Sequence, residues 1–339
     1  MKEVMMRNLK LLMLCAAVLF QSSQALAYYG VAPGDEGDLY VGLGGGFTTF
    51  NSRDWIYGAR NNGTDALEFE TEQSGVMPEI FGGMIFKSPV KDSLFTKFRI
   101  FGSAQTGSSD IQNQNVATGT TLPNINGAFN WSFPNWQSTN ILRSEYEIMN
   151  IRAGLATDIA IGQTGLFVVP SASFNYTNLK QTFNFTSTPS VAGLGFGTTI
   201  IETLQTTYYG VDLDLTAAYV LNDMFSIHAG AGMSFMQATS DFDGNQTTTG
   251  VVTLQTGTGK ISQTDNTTSQ NTQFHFGAAM HSFFGTFQLI YKIINFQYVP
   301  YIENPTSTTV NSFTSAGLGS DKLTQNSIGL NYSYAFNLL

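Results

Sequence analysis

The chain has 339 residues and a net charge of −9 at neutral pH; 12% of its residues are charged, 13% are aromatic and one is a cysteine. The acidic balance excludes the basic surface that nucleic-acid binding requires, and a lone cysteine excludes a disulfide framework. The charged fraction is about half of the ~25% typical of soluble domains, yet no stretch approaches the roughly 18 consecutive apolar residues of a membrane-spanning helix.

The first 27 residues have the pattern of a secretory signal peptide. Basic residues precede an apolar run from Leu11 to Phe20, and Ala25-Leu26-Ala27 forms an A-x-A cleavage site. The alternative, an N-terminal membrane anchor, is disfavoured because the run is far shorter than the ~20 residues that a spanning helix needs. Cys15 follows a large residue, so no lipid anchor is expected. Residues 28–37 are predicted to form a polar periplasmic leader.

The clearest strands are the two on either side of the tight turn at Leu221-Asn222-Asp223. In Val211–Tyr219 and Phe225–Phe235, apolar residues alternate with small or polar ones, which places one set on each face of a sheet. The other predicted strands repeat this pattern, and no separate apolar element is available to cover their apolar faces. A closed antiparallel barrel with lipid outside and polar side chains inside resolves the problem.

Ten such strands are predicted, in one barrel domain that spans residues 38–339. Their approximate bounds are 38–51, 76–87, 94–105, 142–160, 166–185, 211–219, 225–235, 271–281, 286–299 and 324–338. Long connections follow the odd-numbered strands and short ones follow the even-numbered strands. This asymmetry is typical of transmembrane up-and-down barrels with long extracellular loops and short periplasmic turns. Counts of eight or twelve strands remain open.

The alternation assigns a set of charged and histidine side chains to the lumen. On the fourth strand, a β-bulge near Ile148 and Met149 is predicted to change the phase of the pattern. The lumen candidates are Glu79, Lys97, Arg99, Arg143, Glu145, Glu147, Arg152, Asp212, Asp214, His228, His281 and Lys292. They predict either a charged constriction of the lumen that selects ions electrostatically or a small barrel whose lumen is filled by ion pairs. A barrel of ten strands favours a narrow or filled lumen.

The histidines raise the question of a metal or proton-sensitive site. One register of the seventh and eighth strands places His228 opposite His281. Lumen histidines are also expected simply because imidazole suits a polar face, and neither a metal site nor a cofactor is predicted.

The same strands offer Asp212-Leu213-Asp214 and Ser226-Ile227-His228. Neither set converges as a catalytic dyad, because residues two apart on a strand point along the wall. The protein is therefore predicted not to be an enzyme.

Two long polar connections stand out, at Thr106–Asn140 and Gln237–Gln270. Connections of this length are usually functional or disordered. The first one carries Trp131, Phe133 and Trp136, which are candidates for a contact surface. A membrane-interface girdle or a loop folded onto the rim is an equal alternative.

The signal peptide, the alternating strands and the terminal strand Asn331–Leu339 resemble those of bacterial outer-membrane β-barrel proteins. That resemblance implies assembly by the barrel-assembly machinery, although this chain ends in Leu339 rather than in an aromatic residue. The segments 148–154 and 209–213 are also similar in their small-residue and aromatic spacing to Legionella-type major outer membrane proteins, which are pore formers. The cysteines of that family are absent here.

Two functions follow as hypotheses for a Gram-negative outer-membrane protein. The first is a small porin-like channel with a narrow, charged lumen that passes small cationic solutes. The second is a surface-exposed adhesin or antigen, whose barrel anchors long polar loops that contact a host or matrix surface. Outer-membrane lipid and lipopolysaccharide are the expected surroundings in both cases, and a secreted β-sandwich is the alternative outside the membrane.

Overall fold

A computed structural model gives the structure of the chain and describes residues 39–50, 53–60, 65–87, 95–122, 131–190, 197–249, 257–282, 284–305 and 316–336. The predicted signal peptide and leader lie outside these ranges. The strands are β1 (Leu39–Phe50), β2 (Trp55–Arg60), β3 (Asp65–Phe69), β4 (Gln73–Lys87), β5 (Phe95–Leu122), β6 (Trp131–Ile161), β7 (Leu166–Pro189), β8 (Gly197–Asn222), β9 (Phe225–Thr249), β10 (Gly257–Ser282), β11 (Gly285–Glu303) and β12 (Gly317–Phe336). No helix of the described residues is long and apolar enough to cross a membrane.

Ten of the twelve strands close into a ring. Going round it, β1, β4, β5, β6, β7, β8, β9, β10, β11 and β12 are antiparallel neighbours, and β12 pairs with β1 to close the barrel. The predicted fold, an all-β antiparallel up-and-down barrel of ten strands, is confirmed. β2 and β3 form an additional hairpin in the connection between β1 and β4, where the sequence predicted only a loop.

Several strands are much longer than predicted. β6 has 31 residues, whereas a strand that crosses a bilayer needs only about 9–11. The predicted loops at 106–140 and 237–270 consist largely of strand, because the β5–β6 ladder runs out to Leu122 and Trp131 and the β9–β10 ladder to Thr248 and Gly257. The pairing therefore continues well past the point where the outer face stops being apolar.

The end of the barrel that carries the short turns has an apolar exterior, and we call it the belt half. In β8 it covers residues 209–222, where Val211, Leu213 and Leu215 are exposed while Asp212 and Asp214 are buried. Comparable exposed side chains surround the barrel at this end: Leu39, Val41, Leu43, Ile80, Phe98, Ile100, Met149, Ile151, Leu155, Phe174, Ile227, Phe235, Phe274, Phe276, Leu289 and Ile328. An apolar exterior over a polar lumen is the arrangement that lipid requires.

The opposite end, which we call the loop half, reverses this arrangement. In β8 it covers residues 197–207, where Ile200 and Leu204 are buried and Gln205 is exposed. A cluster of buried apolar side chains fills the interior there, including Leu142, Tyr146, Phe183, Phe185 and Phe242. A polar exterior over an apolar interior is the arrangement of a water-soluble protein.

The reversal occurs without a change of phase in β6. Its even-numbered residues face the interior from Ser138 to Asp158, and both of its ladders pass through Ile148 and Met149 without a register shift. The predicted bulge there is wrong. The side chains of Arg143, Glu145 and Glu147 are 52%, 42% and 58% exposed, so they lie on the exterior of the loop half and not in the lumen.

The aromatic residues predicted to form a contact surface belong to the start of this same strand. Trp131, Phe133 and Trp136 lie in β6, where Trp131 and Phe133 are paired with Leu122 and Thr120 of β5. Their side chains lie outside the described part of the structure, and their role as a contact surface stays a prediction.

Candidate functional site

The lumen of the belt half collects most of the predicted charged residues. Among them, the following are buried there: Glu79, Arg99, Arg152, Asp212, Asp214, His228, His281 and Lys292. Lys97 lies near the short-turn end and is only partly buried. The period-2 pattern therefore identified the lumen correctly wherever the exterior is apolar.

Arg152 of β6 is the centre of a polar network in the lumen. Its Nε donates to Ser173 Oγ at 2.6 Å and lies 3.3 Å from Asp212 Oδ2. The same carboxylate oxygen accepts a hydrogen bond of 2.9 Å from Asn175, and Asn150 donates to Asn175 Oδ1 at 2.7 Å. Three neighbouring strands, β6, β7 and β8, are thus joined by charge and hydrogen bonds along the wall of the lumen.

Asp214, two residues after Asp212 on the same face of β8, is the centre of a second network of hydrogen bonds. It accepts hydrogen bonds from Thr216 at 2.9 Å and from Gln273 at 3.0 Å. His275 Nδ1 lies 3.7 Å from Asp214 Oδ2, and its Nε2 is 2.9 Å from Thr216 Oγ1. These contacts link β8 to β10 across the intervening strand.

Most of the remaining charges have a neighbour of opposite sign. Arg99 and Asp158 form a buried ion pair between β5 and β6. Lys292 lies within electrostatic range of Asp212, Asp214 and Glu79, and also of the like-charged Arg152. Buried charges arranged in this way hold the strands together, because removing one partner leaves the other uncompensated.

The predicted histidine pairing is wrong. His228 is paired with Gly277, and its ring lies 6.3 Å from that of His275 rather than near His281. His281 instead contacts Ser226 Oγ at 3.0 Å and Thr286 Oγ1 at 3.2 Å. Among the described residues, no group of three His, Cys, Asp or Glu side chains is arranged to hold a metal ion.

A small cavity separates the two halves of the interior. Its volume is about 50 Å³, and it is lined by polar residues such as Asn150, Asp212 and Lys292 on one side and by apolar residues such as Met236 and Phe296 on the other. A cavity of this size holds a few water molecules. It is polar enough to be wet and too small for an organic solute.

The loop half is filled by the β2–β3 hairpin, which we call the plug. Trp55 and Tyr57 of β2 and Leu67 and Phe69 of β3 are buried against the inner wall. The Trp55 ring lies 5.1 Å from that of Phe185, which is typical of a packed aromatic pair. The plug is therefore part of the hydrophobic core of the loop half rather than a surface loop.

A buried carboxyl group anchors the plug. Trp55 Nε1 donates to Glu202 Oε2 at 2.9 Å, and Asn304 Nδ2 donates to the same oxygen at 3.1 Å. Among the described residues, Glu202 Oε1 has no hydrogen-bond partner. Complete burial raises the pKa of Glu202 to about 7, because desolvation disfavours the charged form. The nearby hydroxyl of Tyr57 accepts a hydrogen bond of 3.1 Å from Gln246.

Sequence reasoning missed the plug, although a signal for it exists. Trp55 and Tyr57 alternate with smaller or polar residues, and so do Leu67 and Phe69. This is the period-2 pattern of a hairpin, and it lies inside residues 52–73, between the first two predicted strands, where the sequence predicts a loop. Glu202 was missed because its strand was predicted to begin later.

No protein-family model matches the chain, and no curated protein matches its sequence. Several solved structures align with most of the chain at low sequence identity. The outer membrane protease OmpT from Escherichia coli is 8% identical, with 89% of this chain and 97% of that chain covered and a TM-score of 0.33. The CymD monoaromatic hydrocarbon channel is 10% identical, with 91% and 90% covered and a TM-score of 0.34. A Pseudomonas aeruginosa FadL homologue is 10% identical, with 95% and 96% covered and a TM-score of 0.24.

Proposed function

We propose that this protein is an integral β-barrel of the Gram-negative outer membrane that carries a rigid binding platform on the cell surface. In this proposal the belt half spans the bilayer and the loop half projects outside. The observation that supports it most is that the apolar side chains of a single strand lie on the outer face in the belt half and on the inner face in the loop half. The apolar exterior of β8 ends near Tyr209, and its polar exterior continues to Gly197. A strand that served only to cross the membrane would not need that second segment.

The platform function, which corresponds to an adhesin or surface antigen, is favoured over transport by the filled interior. Within the described residues, the plug and its aromatic neighbours occupy the loop half, and ion pairs occupy the belt half. An organic solute has no path through such an interior without displacement of the plug.

The orientation is tested by labelling cysteine variants in intact cells, which the predicted absence of cysteine from the mature chain makes simple. Asp241 lies on the exterior of the loop half and Asp223 in the short turn between β8 and β9. We expect D241C to react with a membrane-impermeant maleimide on intact cells, and D223C to react only after the outer membrane is permeabilised. The reverse result, or no labelling of either variant in membranes, would reject the proposal.

A narrow channel gated by the plug is the second candidate, and the charged lumen with its central cavity favours it. Single-channel recording in planar bilayers separates the two candidates. The platform predicts no conductance steps above background for the native chain. The channel predicts cation-selective steps that grow when β2 and β3 are replaced by a short Gly-Ser linker. Removal of the plug without any rise in conductance would exclude the channel.

A further inference from the structure

The wall of the loop half is incomplete beside β12. β1 pairs with β12 only as far as Phe50 and Gln325, and the next described segment, from Arg53, leads into β2 of the plug. The outer segment of β12, Gly317–Thr324, continues to pair with β11 on its other side. Within the described residues this segment has no strand partner on the β1 side, so it presents a free backbone edge.

A pocket lies at this free edge. Its volume is about 200 Å³, and it is lined by the segment that leads into the plug, by β7, by β11 and by β12. Phe183, Ile302 and Leu323 supply buried apolar surface. A cavity of roughly 150 Å³ holds a benzene molecule, so this pocket is large enough for one aromatic or large aliphatic side chain.

Polar groups inside and around the pocket point to a ligand that has both apolar and hydrogen-bonding parts. The Gln181 side chain lines the pocket at 4% exposure, and its Nε2 has no hydrogen-bond partner among the described residues. An unsatisfied buried amide is costly, and a ligand carbonyl would satisfy it. At the mouth, Arg53 stacks on the Tyr301 ring at 4.3 Å, and Lys322 also lines the opening.

We propose that this site, the seam cleft, binds an extended polypeptide segment that adds as a strand to the free edge of β12 and places one large apolar side chain in the pocket. The inference rests on the proposed function, because it needs the loop half to be accessible at the cell surface. Strand addition supplies main-chain hydrogen bonds for affinity, and a side-chain pocket beside the edge supplies specificity.

The composition of β12 argues against a second copy of this chain as the occupant. Its free segment contains Gly317, Gly319, Ser320 and Asp321, and its apolar Leu318 packs against the core. Two such edges paired with each other would offer no large side chain to fill either pocket. The occupant is therefore a different polypeptide, one with an exposed aromatic or large aliphatic residue among strand-forming neighbours.

The test selects linear heptapeptides from a phage-displayed library on the purified full-length protein in detergent, and measures the affinity of the synthesised winners by fluorescence anisotropy. We expect the winners to share one Phe, Trp, Leu or Met. Methylation of alternate backbone amides in a winning peptide should weaken its binding at least tenfold, because it prevents strand pairing without changing the side chains. V299W, which fills the pocket, should weaken binding equally, and Q181L several-fold. Q205W, on the exterior of the loop half, is the matched control and should bind normally.

The seam cleft would be overturned if no peptide were enriched, or if methylated and unmethylated peptides bound with equal affinity. It would also be overturned if the protein formed a dimer that the winning peptides did not inhibit. The comparison of methylated with unmethylated peptides uses the native protein, so it remains valid even if V299W does not fold. The labelling of D241C on intact cells tests the proposed surface platform independently of the seam cleft. If the purified protein binds peptides but D241C is not labelled, the surface platform fails while the seam cleft survives; if D241C is labelled and no peptide is enriched, the seam cleft alone fails.

Discussion

The belt half and the loop half are built from the same strands and differ in which face carries the apolar side chains. In β8, Asp212 faces the lumen and Leu213 faces outwards, whereas eight residues earlier Leu204 faces inwards and Gln205 outwards. The side-chain period is 2 in both segments. What changes, in the proposed orientation, is the surroundings of the outer face, which are lipid around the belt half and water around the loop half. A single β-sheet thus combines the two ways in which a barrel can be stabilised, by polar contacts inside and by apolar packing inside.

The largest effect is expected from breaking the ion pair at the centre of the belt half. R152M leaves Asp212 buried without its guanidinium partner, which typically costs about 3–5 kcal/mol. Urea unfolding of the refolded protein, followed by tryptophan fluorescence, measures the loss. R143M is the control, because it removes an exposed ion pair with Asp110 on the exterior of the same strand, and such a pair contributes less than about 1 kcal/mol. Its urea midpoint should shift far less than that of R152M. Equal midpoints for the two variants would contradict the importance of the lumen network.

In the loop half, the corresponding change is the loss of a large apolar side chain. W55A removes a buried ring and the hydrogen bond to Glu202, and truncation of a buried Trp costs about 3–5 kcal/mol. The plug should become sensitive to proteinase K while the belt half stays resistant. W55F keeps most of the ring and removes the donor, so its effect should be intermediate. A resistant plug in W55A would mean that the aromatic core does not hold it.

Charges placed on the two exteriors test the boundary itself. L213R puts a charge on the lipid-facing side of β8 and should cost about 2–4 kcal/mol near the middle of a bilayer. Q205R makes the same kind of change on the loop half and should have a small effect, because that side chain is in water. The measurement is the denaturant midpoint after folding into lipid vesicles. Similar penalties for both variants would place the lipid boundary elsewhere.

The smallest effect expected is a dependence of plug stability on pH. The pKa of Glu202 is raised from its ordinary 4.5 to about 7 in the plugged state, so the plugged state holds its proton more tightly than an open state does. Plug stability is therefore fully present below about pH 4.5 and falls as the pH rises to 7. At ~1.4 kcal/mol per pKa unit the loss is at most about 3 kcal/mol.

The urea midpoint of the plug transition, taken from pH 4 to 8, measures this dependence. E202Q has no titratable group at this position, so the urea midpoint of the plug transition should no longer change with pH. Its amide oxygen can still accept the hydrogen bond from Trp55 Nε1. A slope that persists in E202Q would assign the titration to another group.

The sequence predicts the belt half well and the loop half poorly. The number of strands, the alternation of long and short connections and the lumen positions of Arg152 and Asp212 follow from a strict period of 2 with an apolar exterior. The same criterion fails beyond the lipid boundary, where the apolar face is the inner one. Arg143 and its neighbours were misplaced for this reason, since a change of surroundings was interpreted as a change of phase.

Register is the second property that the sequence does not determine. His228 was expected opposite His281 and lies opposite Gly277, a shift of four residues. An even shift leaves every side chain on its own face, so hydrophobic patterning cannot detect it. The contacts of the lumen depend on register, and for that reason the partners of a residue are harder to predict than its side of the wall.

The position of the plug in the chain has a consequence for the order of folding. The hairpin lies between β1 and β4 in sequence, and the ring closes by pairing Leu39 with Phe336, residues from opposite ends of the described chain. Contacts with such separation form slowly. We expect the hairpin to dock on the inner wall while the sheet is still open, with the meeting of β1 and β12 as the slow, final step that encloses it.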